Sequence, residues 1–146
     1  MEIRVLERLP TPEEYEQFRQ AVGWRLHDLE AARRGLLGTL FAVCAYADGV
    51  LAGMARVIGD GALVYYIQDV IVLPAFQREG VGSRLMEKVM AYIETHASRN
   101  SVVGLMSAKG VEPFYLKYGF AARPNESLGA GMTIFWKRDE QGNGAR

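Results

Sequence analysis

The sequence predicts a mixed α/β fold: one mixed, mostly antiparallel sheet with helices on both faces. Three observations carry this. Residues 39–46 (TLFAVCAY) and 50–58 (VLAGMARVI) are apolar, strand-length runs joined through Asp48-Gly49, a hairpin dipeptide. A longer run over 62–73 follows the turn Gly59-Asp60-Gly61, and three strands in succession with such short connections must be antiparallel neighbours. The apolar period then turns helical over 80–97, where Val81, Leu85, Met86, Val89, Ile93 and Ala97 form one stripe, before a strand resumes at 101–107. That strand–helix–strand passage calls for a parallel, right-handed crossover.

The other elements fall in around this centre. Residues 2–6 alternate, with Ile3 and Val5 on one side, and read as a first strand. Thr11, Pro12 and Glu14 spell a helix start: an N-cap hydroxyl, a proline at the first helical position and the acid of a capping box. Tyr15, Phe18 and Val22 continue at helical spacing until Gly23. Asp28 caps a second helix to position 37, with Leu29, Ala32 and Leu36 on one face, although Gly35 costs about 1 kcal/mol against alanine. A short helix over 110–118 stops at Gly119, and 120–123 (FAAR) and 132–137 (MTIFWK) read as final strands. The order is β-α-α-β-β-β-α-β-α-β-β. No repeat, low-complexity tract or linker divides the 146 residues, so 1–138 is expected as a single domain with 139–146 as a flexible C-terminal tail.

Composition narrows the function classes. Seventeen Lys and Arg offset seventeen Asp and Glu, so no net charge draws the chain to nucleic acid or an anionic membrane, and neither is expected as a partner. An apolar fraction of 49% excludes disorder. Cys44 is the one cysteine, and His27 and His96 are isolated, so neither an internal disulfide nor a metal site is expected. With no apolar run of 18 residues and no apolar leader at the start, a cytoplasmic protein is expected.

The segment with chemical content is Gln77-Arg78-Glu79-Gly80-Val81-Gly82-Ser83, between a buried strand and the long amphipathic helix. Its glycines let backbone approach a ligand, and the first helical turn offers N–H groups without intrahelical partners, a setting for phosphate or pyrophosphate. A dinucleotide fingerprint would need glycine where Leu85 stands. A P-loop would need lysine where Ser83 stands. A bare tight turn is the alternative to a phosphate site.

Taken with Phe114-Tyr115-x-x-x-Gly119-Phe120 some thirty residues on, Gln77-x-x-Gly80-x-Gly82 resembles the GNAT superfamily of acetyl-CoA-dependent N-acetyltransferases. The resemblance is close over roughly 62–120, and the element order on either side agrees with the family fold. It implies that acetyl-CoA is the cosubstrate, with its pantetheine arm paired to backbone of Val70, Ile71 and Val72 and its pyrophosphate on the amides from Arg78 to Ser83. It implies direct attack of an amine on the thioester, with Tyr115 as the family-matched acid for the departing thiolate and Tyr118 as the fallback. It transfers no base. Asp69 on the strand is the candidate, acting directly or through water, and strict alternation groups it with Tyr65, Ile67 and Ile71 unless a bulge intervenes. Trp24 and Tyr65 either line an acceptor pocket or pack in the core. His27, in the region that borders the acceptor in relatives, is a minor catalytic candidate. Ser107 and Lys109 stand where many relatives place a cofactor-contacting asparagine. The expected acceptor is a small-molecule primary amine; a protein or peptide amine and a non-catalytic acyl-CoA sensor are the alternatives. The apolar strand MTIFW would support a homodimer, by analogy with dimeric relatives.

Overall fold

The computed structural model describes residues 1–138 and 144–145. Its contacts divide the chain into two units, Met1–Leu105 and Met106–Arg146.

The first unit contains a five-stranded sheet in chain order: β1 (Ile3–Glu7), β2 (Phe41–Ala47), β3 (Val50–Gly59), β4 (Val64–Val72) and β5 (Val102–Leu105). The first four are antiparallel and β5 runs parallel to β4. The long helix α3 (Val81–His96) makes the crossover, as the switch of apolar period requires. Asp48 and Gly49, both at positive φ, form the β2–β3 turn, whose twist suits a hairpin.

Helices α1 (Pro12–Ala21) and α2 (Leu29–Leu37) are set by their caps. The Thr11 hydroxyl accepts from Glu14 N–H at 3.1 Å, and the Glu14 carboxylate accepts from Thr11 N–H at 2.9 Å. Asp28 accepts from Ala31 N–H at 2.9 Å. The two helices bury Tyr15, Phe18, Ala32 and Leu36 against Cys44, Met54 and Ile71 on one sheet face. Leu29, expected on the same stripe, lies in the first turn of α2 and stays exposed. On the other face α3 buries Val81, Leu85, Met86, Val89 and Ile93. Helix and sheet touch closely there: a Cβ on Gly53 would meet Leu85 and Val81 side-chain carbons at 3.2 and 3.3 Å. Helices thus cover both faces, as the sequence predicts.

The second unit holds α4 (Glu112–Leu116) and a two-residue ladder of β6 (Lys137–Arg138) with β7 (Gly144–Ala145). Two expectations are corrected here. Residues 120–123 are not a strand. The following residues fold on themselves instead: Asn125 Oδ1 accepts from the N–H groups of Ser127 and Leu128 at 3.0 and 2.9 Å, and Arg123 Nε donates to Gly129 O at 2.6 Å. Such a side-chain turn competes with a ladder, and Pro124 has no N–H to give one. Residues 132–136 likewise form no strand, and Met132 and Ile134 are exposed. Alternation marks a segment as fit for a sheet but does not supply an edge to pair with. The expected tail over 139–146 lies mostly outside the described residues.

Candidate active site

Strand β4 carries the defining irregularity. Met54 pairs with Ile71 but Arg56 with Gln68, so Asp69 and Val70 together face the single residue Ala55. Asp69 takes the extra position with φ +61, a left-handed conformation that an aspartate tolerates better than most side chains. The bulge shifts the parity of the strand. Tyr65 points to the α3 side, donating its hydroxyl to His96 O at 3.1 Å, whereas Ile71 packs in the α1–α2 core.

Asp69 is buried and its carboxylate is fully engaged. Oδ2 accepts from Tyr15 Oη at 2.6 Å and Arg56 Nε at 2.9 Å; Oδ1 accepts from Arg19 Nη1 at 3.0 Å and Gln68 Nε2 at 3.2 Å. The two guanidinium groups lie 5.8 and 5.5 Å from the centre of the Tyr15 ring, so one anion and one aromatic ring hold two cations. Burial, and then the Asp69 charge, push the Tyr15 hydroxyl up to about 12, which keeps it a proton donor.

Beside this cluster lies a cavity of about 240 Å³ lined by Tyr15, His27, Ala31, Ala32, Gly35, Leu36 and Arg56. His27 is half exposed, stacked on Tyr15 at 6.0 Å and 17°, with Nδ1 3.0 Å from Glu16 Oε1. Of the two expected acceptor aromatics, neither lines this cavity. Trp24 is partly buried against the core with the Arg19 guanidinium 5.5 Å from its ring centre, and Tyr65 is fully buried on the opposite face.

The residues expected to hold the pyrophosphate form one continuous turn at the start of α3. Arg78 (φ +65) and Gly80 (φ +87) turn the backbone, and Gly80 enters α3 as an N-cap with no side-chain hydrogen bond. The amides of Val81, Gly82 and Ser83 are left without intrahelical acceptors at the positive end of the helix. Gln77 Nε2 donates to Val72 O at 3.0 Å and ties the loop to the end of β4. The β4–β5 ladder ends at Ile67 opposite Leu105, so Val70, Ile71 and Val72 run on beyond the last β5 pairing. An uncapped helix start and a strand edge beyond the ladder fit an amide-bearing arm followed by a pyrophosphate. Among the described residues no cluster of His, Cys, Asp and Glu could hold a metal ion, and no helix is long and apolar enough to cross a membrane.

In the second unit, Tyr115 on α4 packs edge-on against Phe114 and Phe120, at 5.1 and 6.4 Å between ring centres. Burial pushes its hydroxyl up to about 12, and among the described residues that hydroxyl has no hydrogen-bond partner.

Sequence reasoning missed Arg19, Arg56 and Glu16 and took Tyr15 as core alone. A signal was present: Arg56 and Asp69 are charges inside otherwise apolar strand runs, which a sheet buries only as partners.

The profile of the family described as "Acetyltransferase (GNAT) domain" matches residues 10–135. Among solved structures, a protein of unknown function from methicillin-resistant Staphylococcus aureus, named "Probable Acetyltransferase", is 36% identical with a TM-score of 0.83, covering 92% of this chain and 99% of that one. An uncharacterized N-acetyltransferase of Prochlorococcus marinus is 28% identical over 127 residues, 84% of this chain and 67% of that protein. A protein of Glycine max named as a histone acetyltransferase is 35% identical over 86 residues, 59% of this chain but only 35% of that relative. A family match of this extent, with a fold shared over nearly the whole length, leaves one conclusion: the chain belongs to the GNAT family of N-acetyltransferases.

Proposed function

We propose that the enzyme transfers the acetyl group of acetyl-CoA to a primary amine of a small molecule, by direct attack. The observation that carries the acceptor class is the cavity beside Asp69, about 240 Å³ and walled by α1, α2 and β3, which suits a compact amine better than an extended peptide. Acetyl-CoA, when bound, supplies the thioester carbonyl as electrophile. The amides from Arg78 to Ser83 hold the pyrophosphate, with Gln77 fixing the loop to β4, and the β4 backbone from Val70 to Val72 pairs with the pantetheine amides. A backbone N–H at Val70, beside the bulge, is suited to a developing oxyanion. Tyr115 donates a proton to the leaving sulfur; its raised pKa keeps it protonated at any physiological pH. Asp69 anchors Arg19, Arg56 and Tyr15. With both of its oxygens accepting two hydrogen bonds, it serves the acceptor through that cluster instead of taking a proton itself. This reading treats 1–138 as one catalytic domain working in the cytoplasm.

A panel of small amines incubated with acetyl-CoA tests it by release of free thiol. Turnover with at least one amine is expected, and Tyr115→Phe should lower kcat by about 100-fold or more with little change in cofactor affinity. Activity on peptides with none on small amines would replace the acceptor class; the name of the Glycine max relative is what favours that second reading. An unchanged kcat in Tyr115→Phe would remove that residue from the mechanism.

A further inference from the structure

We propose that His27 is the base that takes the proton of the acceptor amine, with Glu16 as its positioning residue; this deepens the acetyl-transfer reading and rests on it. His27 Nδ1 lies 3.0 Å from Glu16 Oε1, and the same oxygen accepts the His27 backbone N–H at 2.7 Å. A carboxylate only accepts, so Nδ1 carries the proton of the neutral ring and Nε2 keeps its lone pair. Tyr15 stacks on the ring and fixes its plane. Among the described residues Nε2 has no hydrogen-bond partner, and His27 is one of the residues that line the cavity.

The other groups around the cavity cannot do this work. Tyr15 spends its hydroxyl as a donor to Asp69, Arg56 is a cation, and Asp69 behind them accepts four hydrogen bonds. His27 is faced by Glu16 and Tyr15 from α1 and shares the cavity with Arg56 from β3, while Arg19 and Asp69 lie behind Tyr15. Glu16 adds a second sign. It is buried, and its Oε2 has no partner among the described residues, an unfavourable placement for a carboxylate unless a cation forms beside it. Proton uptake at Nε2 makes that cation, as the carboxylate of a catalytic triad stabilises its imidazolium.

The step balances as follows. The acceptor ammonium gives one proton to Nε2, and the freed lone pair forms the C–N bond as the C–S bond breaks. The second nitrogen proton is lost as the amide forms. One proton ends on the departing sulfur, and the net proton released passes to solvent, leaving the imidazole neutral.

The test measures kcat/KM against pH for thiol release with the best amine of the panel, in the parent protein, His27→Gln and Glu16→Gln. The rise in Tm caused by acetyl-CoA checks that each variant is folded and binds. His27→Gln should lose about 100-fold or more in kcat/KM together with the acid limb of the profile, while keeping the Tm rise. Glu16→Gln should lower kcat with KM close to the parental value, because the imidazolium has lost its carboxylate. Parental kcat/KM and pH profile in His27→Gln would overturn the proposal, as would a raised KM with kcat and the acid limb intact. Loss of the Tm rise in both His27→Gln and His27→Asn would also overturn it, since the side chain would then be structural. A parent protein that gains Tm with acetyl-CoA but releases thiol with no amine defeats the acceptor reading itself, a failure separate from any difference between parent and variant.

Discussion

Asp69 shows how one residue sets the chemistry of its surroundings. Its left-handed backbone turns the carboxylate into the α1–α2 side of the sheet, where Arg19, Arg56, Tyr15 and Gln68 meet it. The two arginine side chains are only 10% and 12% exposed, so their charges depend on this anion. Asp69→Asn keeps the shape and tolerates the positive φ but removes the charge. It should lower unfolding free energy by about 3–5 kcal/mol, the usual cost of breaking a buried pair from one side. Urea denaturation checks this, and a change under about 1 kcal/mol would mean that the arginines find other partners. The pairing was half legible in sequence, since Arg56 and Asp69 each interrupt an apolar run. Arg19, on a polar helix face, gave no such sign.

At the scale of elements, the bulge and the uncapped start of α3 lie at the two ends of the path proposed for acetyl-CoA. The bulge lets Tyr65 and Ile71, both odd-numbered on one strand, serve opposite cores. The opening of α3 depends on Gly80, whose φ of +87 costs any side chain roughly 1–2 kcal/mol. A Cβ there would meet nothing within 4 Å, so the strain is of the backbone alone. Gly80→Val should therefore weaken coenzyme A binding by about tenfold or more as the loop relaxes away from its amide-presenting form. Calorimetric titration reads the affinity directly, and an unchanged Kd would detach the loop from cofactor binding. The glycine spacing was plain in sequence. The bulge was anticipated only as a condition, because alternation alone carries no record of an inserted residue.

For the whole molecule, groups whose protons burial holds tie stability to alkaline pH, Tyr15, Tyr115 and Cys44 chief among the described residues. Burial raises Tyr15 and Tyr115 from an ordinary value near 10 to about 12, and Cys44 from 9.0 to about 11. In each case the folded chain holds its proton at a pH where the unfolded chain has released it. The stability they contribute is complete below about pH 9 and is lost progressively as pH rises towards 12. Thermal melts in a buffer series should show Tm level up to pH 8.5 and falling steeply beyond, with a shallower fall in Tyr15→Phe. A Tm that holds through pH 11 would show these groups to be solvated. Compositional reading could not see this, since a net charge of zero says nothing of which groups are buried.

By itself the sequence determined the element order from β1 to α4, the helix caps at Thr11 and Asp28, the Asp48-Gly49 hairpin and the glycines at 80 and 82, because each depends on neighbours within a few positions along the chain. Tertiary structure alone decided that Asp69 faces two arginines, that Tyr65 turns to the α3 side, that residues 120–123 form no strand, and that His27 meets Glu16 at the wall of a cavity. Local conformational preference is written residue by residue. The partner of a charge or the lining of a cavity depends on segments brought together from tens of residues apart, and only the packed sheet supplies that register.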